Sequence, residues 1–244
     1  MPGNTPWIGL ESDKFYLQSG EFSATLKTSR AVGLGETNPT GIAWDGANTP
    51  WTGRTNDKLY LQSGQFSATL KTSLAIGTID LTPTGISWDG TNTPWTGDTD
   101  QKLYLQSGQF SATMKTSLAV GLVDTSPEAV SWDGTNSPWA GDAANKLYLQ
   151  SGQFSATMKT SLGVGAAIDT SPRGIAWDQT NTPWCGSESD KLYLQSGQFS
   201  ATLKTSLAVG GVDASPEGIE NTTRLVAAGV AVSAPLRTLI GVGR

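Results

Sequence analysis

An all-β fold, a five-bladed β-propeller of four-stranded antiparallel blades, is what three features of this 244-residue sequence predict. First, one motif recurs five times, with Trp7, Trp51, Trp95, Trp139 and Trp184 spaced 44, 44, 44 and 45 residues apart. Trp44, Trp88, Trp132 and Trp177 keep the same interval seven residues earlier, so all nine tryptophans belong to the repeat. Second, apolar residues alternate with period two inside each unit and the breaks fall on Gly, Asn, Asp and Pro. That is the pattern of short strands, whereas helices would place apolar residues at spacings of three and four. A period of about 40 to 50 residues built from short strands is the range of propeller blades. Third, the repeat begins in mid-unit at Asn4-Thr-Pro-Trp7 and stops at Ser215-Pro-Glu-Gly-Ile-Glu220, the opening of a unit. The two ends together complete one blade, which a closed ring requires.

The elements follow in order from the clearest copy. Strand A reads Gly85-Ile-Ser-Trp88 and is closed by Asp89-Gly90-Thr91-Asn92, a tight hairpin because Gly and Asn tolerate positive φ. Strand B lies around Thr93 to Thr96. Strand C is Lys102 to Gln106, with Leu103 and Leu105 on one face and Tyr104 on the other, as suits a strand held between two neighbouring sheets. Strand D, Phe110 to Ser117, alternates apolar Phe110, Ala112 and Met114 with polar Ser111, Thr113 and Lys115, the pattern of a half-exposed outer strand. Strand C occurs five times, at Tyr16, Tyr60, Tyr104, Tyr148 and Tyr193, which sets the number of blades. The last strand A is expected to pair with the first B–C–D set; the competing architecture is a solenoid or open array that closes by association.

The unit resembles blades of the propeller superfamily, most closely the NHL-type repeat. Its Gly-Ile-Ala-x-Asp-Gly opening is matched by Gly41-Ile-Ala-Trp-Asp-Gly46 and Gly85-Ile-Ser-Trp-Asp-Gly90, and the likeness runs from residue 4 to about 220. It implies architecture alone, since propellers serve many functions and no functional residue carries over.

Composition narrows the function. A net charge of −5 with no basic stripe argues against nucleic acid as a partner. The absence of histidine removes the commonest general base and metal ligand, and the lone Cys185 has no internal disulfide partner. Five near-identical blades offer carboxylates only in loops, Asp98 and Asp100 among them, so the chain is expected not to be an enzyme. No Asp-x-Asp-x-Asp-Gly loop occurs, and neither a metal nor a cofactor is expected. The N-terminus lacks the basic and apolar regions of a signal peptide, which fits a virion or the cytoplasm. Residues 221–244 leave the repeat as an apolar tail. Its run Leu225 to Pro235 is shorter than the ~20 residues that span a bilayer; the tail is read either as docking on a partner chain or a second copy, or as packing against the ring or staying disordered.

Chain direction sorts the loops onto two edges of the ring. The A–B turns (Asp45 to Asn48, Asp89 to Asn92, Asp133 to Asn136, Asp178 to Asn181) and the C–D turns hardly vary, and they define a constant edge. The B–C and D–A loops vary and hold fifteen of the 21 acidic residues; this acidic, variable edge reads as a solvated surface or as a site for a cationic partner.

On the constant edge an aromatic face beside Asp and Asn is the chemistry that recognises sugars. The candidate glycan-binding residues are Trp7; Trp51 with Asp45 and Asn48; Trp95 with Asp89 and Asn92; Trp139 with Asp133 and Asn136; and Trp184 with Asp178 and Asn181. Five equivalent weak sites on one body would gain about 10²- to 10⁴-fold by avidity. Against this, tight turns need these residue types anyway. The tryptophans of the Ile-x-Trp triplets read as core, while those after Thr-Pro or Ser-Pro divide between core and accessible surface. The alternative function is a structural or assembly module, such as a virion or tail-appendage protein, that associates through residues 221–244.

Overall fold

The computed structural model describes residues 4–220 apart from 21, 34–35, 65–66 and 68, and of residues 166–167 the backbone alone. The tail at 221–244, with the association role expected of it, lies outside the described residues. Blade one holds β1 (Thr5–Gly9), β2 (Lys14–Gln18) and β3 (Leu26–Ala31). Blade two is β4 (Pro39–Ile42), β5 (Asn48–Gly53), β6 (Lys58–Ser63) and β7 (Leu70–Ala75). Blade three is β8 (Pro83–Ile86), β9 (Thr93–Gly97), β10 (Lys102–Gln106) and β11 (Met114–Ala119). Blade four is β12 (Pro127–Val130), β13 (Ser137–Gly141), β14 (Lys146–Gln150) and β15 (Met158–Gly163). After the one-turn helix α1 (Gly165–Ile168), blade five is β16 (Pro172–Ile175), β17 (Thr182–Gly186), β18 (Lys191–Gln195) and β19 (Leu203–Ala208). Finally β20 (Pro216–Ile219) pairs antiparallel with β1, Trp7 opposite Ile219 and Ile8 opposite Gly218. Each sheet runs A-B-C-D, and the last strand A of the chain completes the first blade.

Strands A and D differ from the sequence reading at both ends, A stopping at Ile86 and D running on to Ala119. Strand A starts two residues earlier, at the proline, whose missing N–H costs nothing at the first residue of a strand. Strand D starts at Met114 and not at Phe110, because Phe110 takes a φ of 58° in the C–D turn, as Phe22, Phe154 and Phe199 do at 52–57°. Strands B are buried on both faces, strands C nearly so, and strands D are largely exposed.

Packing is between blades. Trp139, opposite Tyr148 in the ladder, buries itself with Leu103, Leu105 and Val120 of the preceding blade and Val130 of its own; four similar clusters complete the ring. Each such tryptophan hides on the order of 4 to 6 kcal/mol of apolar surface. At the axis the inner strands come into backbone contact. A Cβ on Gly85 would lie 2.5 Å from the Ala129 Cα, and one on Gly41 would lie 2.8 Å from the Gly85 Cα. Glycine there is a consequence of closing the ring with only five blades, and the axial cavity that remains is about 10 Å³.

Candidate functional site

The constant edge is built from interlocked turns. Asp89 Oδ1 accepts the backbone N–H of Thr91 (2.7 Å) and of Asn92, while Oδ2 accepts the Asn92 side-chain amide (3.0 Å) and the amide of Gln153 from the next blade. Gln109 reaches Asp45 in the same way, and Gln198 reaches Asp133. The Asn92 carbonyl accepts Gly108 N–H of the C–D turn at 3.3 Å, with the same bond from Gly152 to Asn136 and from Gly197 to Asn181. Asp178 accepts from Thr180 N–H at 2.7 Å and from the Asn181 amide at 3.0 Å. A carboxylate has about four acceptor positions, and in Asp45, Asp89 and Asp133 the turn and the neighbouring blade occupy them. The Asp/Asn repeat is thus explained by hydrogen bonding within the protein.

The tryptophans are divided the other way from the expectation. Trp7, Trp51, Trp95, Trp139 and Trp184, the candidate ligand faces, are 0% exposed and stack on Tyr16, Tyr60, Tyr104, Tyr148 and Tyr193 with centroids 4.0–4.3 Å apart. They sit at the middle of strand B, which a neighbouring blade covers. Trp44, Trp88, Trp132 and Trp177, read as core, are only partly buried. Each follows two residues after an inner strand ends, so it stands at the constant edge beside the axis, next to the A–B turn. The sequence carries this division only in part: Trp44, Trp88 and Trp132 directly precede Asp-Gly and Trp177 precedes Asp-Gln, whereas the pairing of the other five with a tyrosine shows only in the folded ladder.

The variable edge is less of a solvated surface than its acidity suggests. Glu36, Asp80, Asp124, Asp169 and Asp213 are 2–4% exposed, and each ties its D–A loop to a B–C loop. Asp80 accepts Thr82 N–H at 2.8 Å and Asp100 N–H at 2.9 Å; Glu36 accepts Asn38 and Thr55 N–H, both at 3.0 Å. A Cβ on Gly97 would lie 2.3 Å from the Asp80 carboxylate, which is why strand B ends in glycine. Asp13, Asp57, Asn145 and Asp190 take φ of 49–54°, a conformation that Asp and Asn accept more readily than other side chains. Much of the acidity therefore serves backbone geometry.

Five-fold symmetry fails at the second residue of the inner strand, which reads Thr40, Thr84, Glu128, Arg173 and Glu217 around the variable-edge mouth of the axis. Arg173 pairs with Glu128 at 2.8 Å and with Asp142 at 3.2 Å, and Arg54 approaches Asp98 at 3.7 Å. Burial pushes Glu128 up to about 7 against the pull of Arg173. Burial likewise raises the Cys185 thiol well above its ordinary value, which keeps it protonated beneath this cluster. The sequence had marked these residues only as part of a variable edge; the departure from Pro-Thr-Gly-Ile to Pro-Glu-Ala-Val, Pro-Arg-Gly-Ile and Pro-Glu-Gly-Ile is the signal that singles them out.

Fold and edges together define the protein as a β-propeller, and its solved neighbours are propellers too. Neither a family model nor a curated protein sequence matches the chain. It is similar in structure to a glutaminyl cyclase of Myxococcus xanthus, with 10% identity over 75% of this chain and 69% of that one and a TM-score of 0.53. It is also similar to a chain of a nidogen/laminin complex, with 12% identity over 90% and 98% and a TM-score of 0.57. A third likeness is to a virginiamycin B lyase of Staphylococcus aureus, with 11% identity over 88% and 74% and a TM-score of 0.51. At such identities the likeness shows the fold alone. It nonetheless overturns the expectation that the chain is not an enzyme, since a cyclase and a lyase share this scaffold. Among the described residues no three His, Cys, Asp or Glu side chains are grouped to hold a metal ion, and no helix is long and apolar enough to cross a membrane.

Proposed function

We propose that the protein is a binding propeller that recognises carbohydrate through Trp44, Trp88, Trp132 and Trp177 on its constant edge. The observation that carries this reading is their partial exposure at four equivalent places, while the other five tryptophans are sealed in the core. An indole face stacks on the C–H face of a pyranose ring, and repeated faces suit a ligand that itself repeats, with the avidity that multivalency brings. The five buried tryptophans and the hydrogen-bonded Asp/Asn turns support this edge. With the Asp and Asn acceptors engaged in the turns, the exposed Thr91, Thr135 and Thr180 at the turn tips are the polar groups left to meet sugar hydroxyls.

The test is a glycan array followed by calorimetry on Trp88→Ala and Trp132→Ala. Because both side chains are partly exposed, the variants should keep the fold, which circular dichroism checks. The reading expects a polysaccharide ligand whose affinity falls at least about tenfold in each variant. An array without any bound glycan, or affinities that do not change, would refute it.

A further inference from the structure

Of the six large apolar side chains exposed among the described residues, four stand in the D–A loops of the variable edge: Leu81 (55%), Leu122 (106%), Val123 and Val212. The two leucines are not required by their loops. In the corresponding places other blades carry Thr125, Thr170 and Ala214 for Leu81, and Thr78 and Gly211 for Leu122. The turn is nevertheless the same, since Asp80 N–H donates to Ile76 O at 3.0 Å, Asp124 N–H to Val120 O at 2.9 Å and Asp213 N–H to Val209 O at 2.9 Å. Leucine therefore adds an exposed apolar group where the fold asks for none.

Leu81 and Leu122 belong to the two loops that flank the B–C loop of blade three. On one side Thr99 N–H donates to the Thr82 hydroxyl at 2.8 Å and Asp100 N–H to Asp80 at 2.9 Å. On the other, Val120 N–H donates to Gln101 O at 2.9 Å, and Gly121 lies against the Gln101 side chain. The surroundings are acidic. Fifteen carboxylates against the five strand-C lysines, Arg54 and Arg173 give this edge a formal charge of −8. Glu11 and Glu188 are exposed there and have no ion pair among the described residues.

A complement to this surface is aliphatic and basic. Residues 221–244 have that composition, with Arg224, Arg237 and Arg244, no acidic residue, and Leu236, Leu239 and Ile240 close to Arg237. They follow Glu220, whose N–H donates to Pro6 O at 3.0 Å beyond the end of β20, so they leave the ring at the constant edge, opposite Leu81 and Leu122. A second ring can present its variable edge to them directly, whereas the chain's own variable edge lies around the rim.

We propose that the Leu81–Leu122 surface of the variable edge docks residues 221–244 of a second copy of the chain, aliphatic side chains on the leucines and arginines toward the acidic edge. The two surfaces differ, so the contact is heterologous. It is independent of what the tryptophans bind.

The test is sedimentation of the full-length protein over a range of concentrations, beside Leu81→Thr/Leu122→Thr, which installs residues that other blades carry, and Arg237→Glu/Arg244→Glu. We expect the wild type to associate as concentration rises, with an affinity that salt weakens and that falls at least about tenfold in each double variant. p-Benzoylphenylalanine in place of Val232, irradiated in an equal mixture of ¹⁴N- and ¹⁵N-labelled protein, locates the contact. Mixed-isotope cross-links to Leu81, Thr99, Leu122 or Val123 are the expected result. Cross-links confined to one chain, cross-links to the constant edge, a wild type that is monomeric at every concentration, or unchanged association in either double variant would each overturn the proposal.

Discussion

Replacing Asp124 with alanine should destabilise the ring far more than replacing an exposed acidic residue of the same edge. Asp124 is 3% exposed and accepts hydrogen bonds from Ser126 N–H (2.9 Å), Ala143 N–H (3.2 Å), Ala144 N–H (3.0 Å) and the Tyr148 hydroxyl (3.2 Å). Alanine would leave three backbone donors and a phenol facing the small space beneath Gly141. A buried donor without an acceptor costs about 1–3 kcal/mol, and water entering the vacated space recovers part of the sum, so a total of about 3–5 kcal/mol follows. At about 2–4 °C per kcal/mol for a domain of this size, the Tm should fall by roughly 10 °C. Asp98→Ala is the control. Its side chain is 28% exposed and its pairing with Arg54 at 3.7 Å is long, so the change should stay within about 1 kcal/mol. Urea denaturation and calorimetry of both variants measure the difference; equal, small effects would refute the view that buried loop carboxylates hold the variable edge together.

Two further predictions concern single residues. Gln179 takes a φ of 76° where Gly46, Gly90 and Gly134 occupy the equivalent turn position at 94–95°, so Gln179→Gly should stabilise the protein by about 1 kcal/mol, read from the denaturation midpoint. Glu128 keeps its proton up to about pH 7 in the folded protein but releases it near 4.5 when unfolded. Its contribution is therefore full below pH 4.5 and declines as pH rises to about 7, and Glu128→Gln should flatten the decline in Tm across that window.

The ring was legible because its signals are local and repeated. Leu103-Tyr104-Leu105 reads as a strand covered on both faces, and the split unit at Trp7 and Ile219 reads as closure; both are found. What was not legible depends on where a strand stops. Trp88 and Trp95 are seven residues apart in the same apolar pattern, yet one lies past the end of an inner strand and the other at the centre of strand B. The period cannot distinguish those places. Asp80 and Asp98 are alike in sequence as loop acids, and only the folded chain shows that one is wrapped by backbone N–H groups and the other is partly exposed. Glu217 gains its character from burial and from Arg173, which belongs to a different blade and acts on it only on ring closure.

The central claim is the division of the nine tryptophans into five that are sealed between the blades and four that are partly exposed. Hydroxyl-radical footprinting of the native protein, read by mass spectrometry at each tryptophan, tests it directly. The account predicts oxidation at Trp44, Trp88, Trp132 and Trp177 with protection of Trp7, Trp51, Trp95, Trp139 and Trp184; oxidation of the second set, or equal rates at all nine, would contradict it.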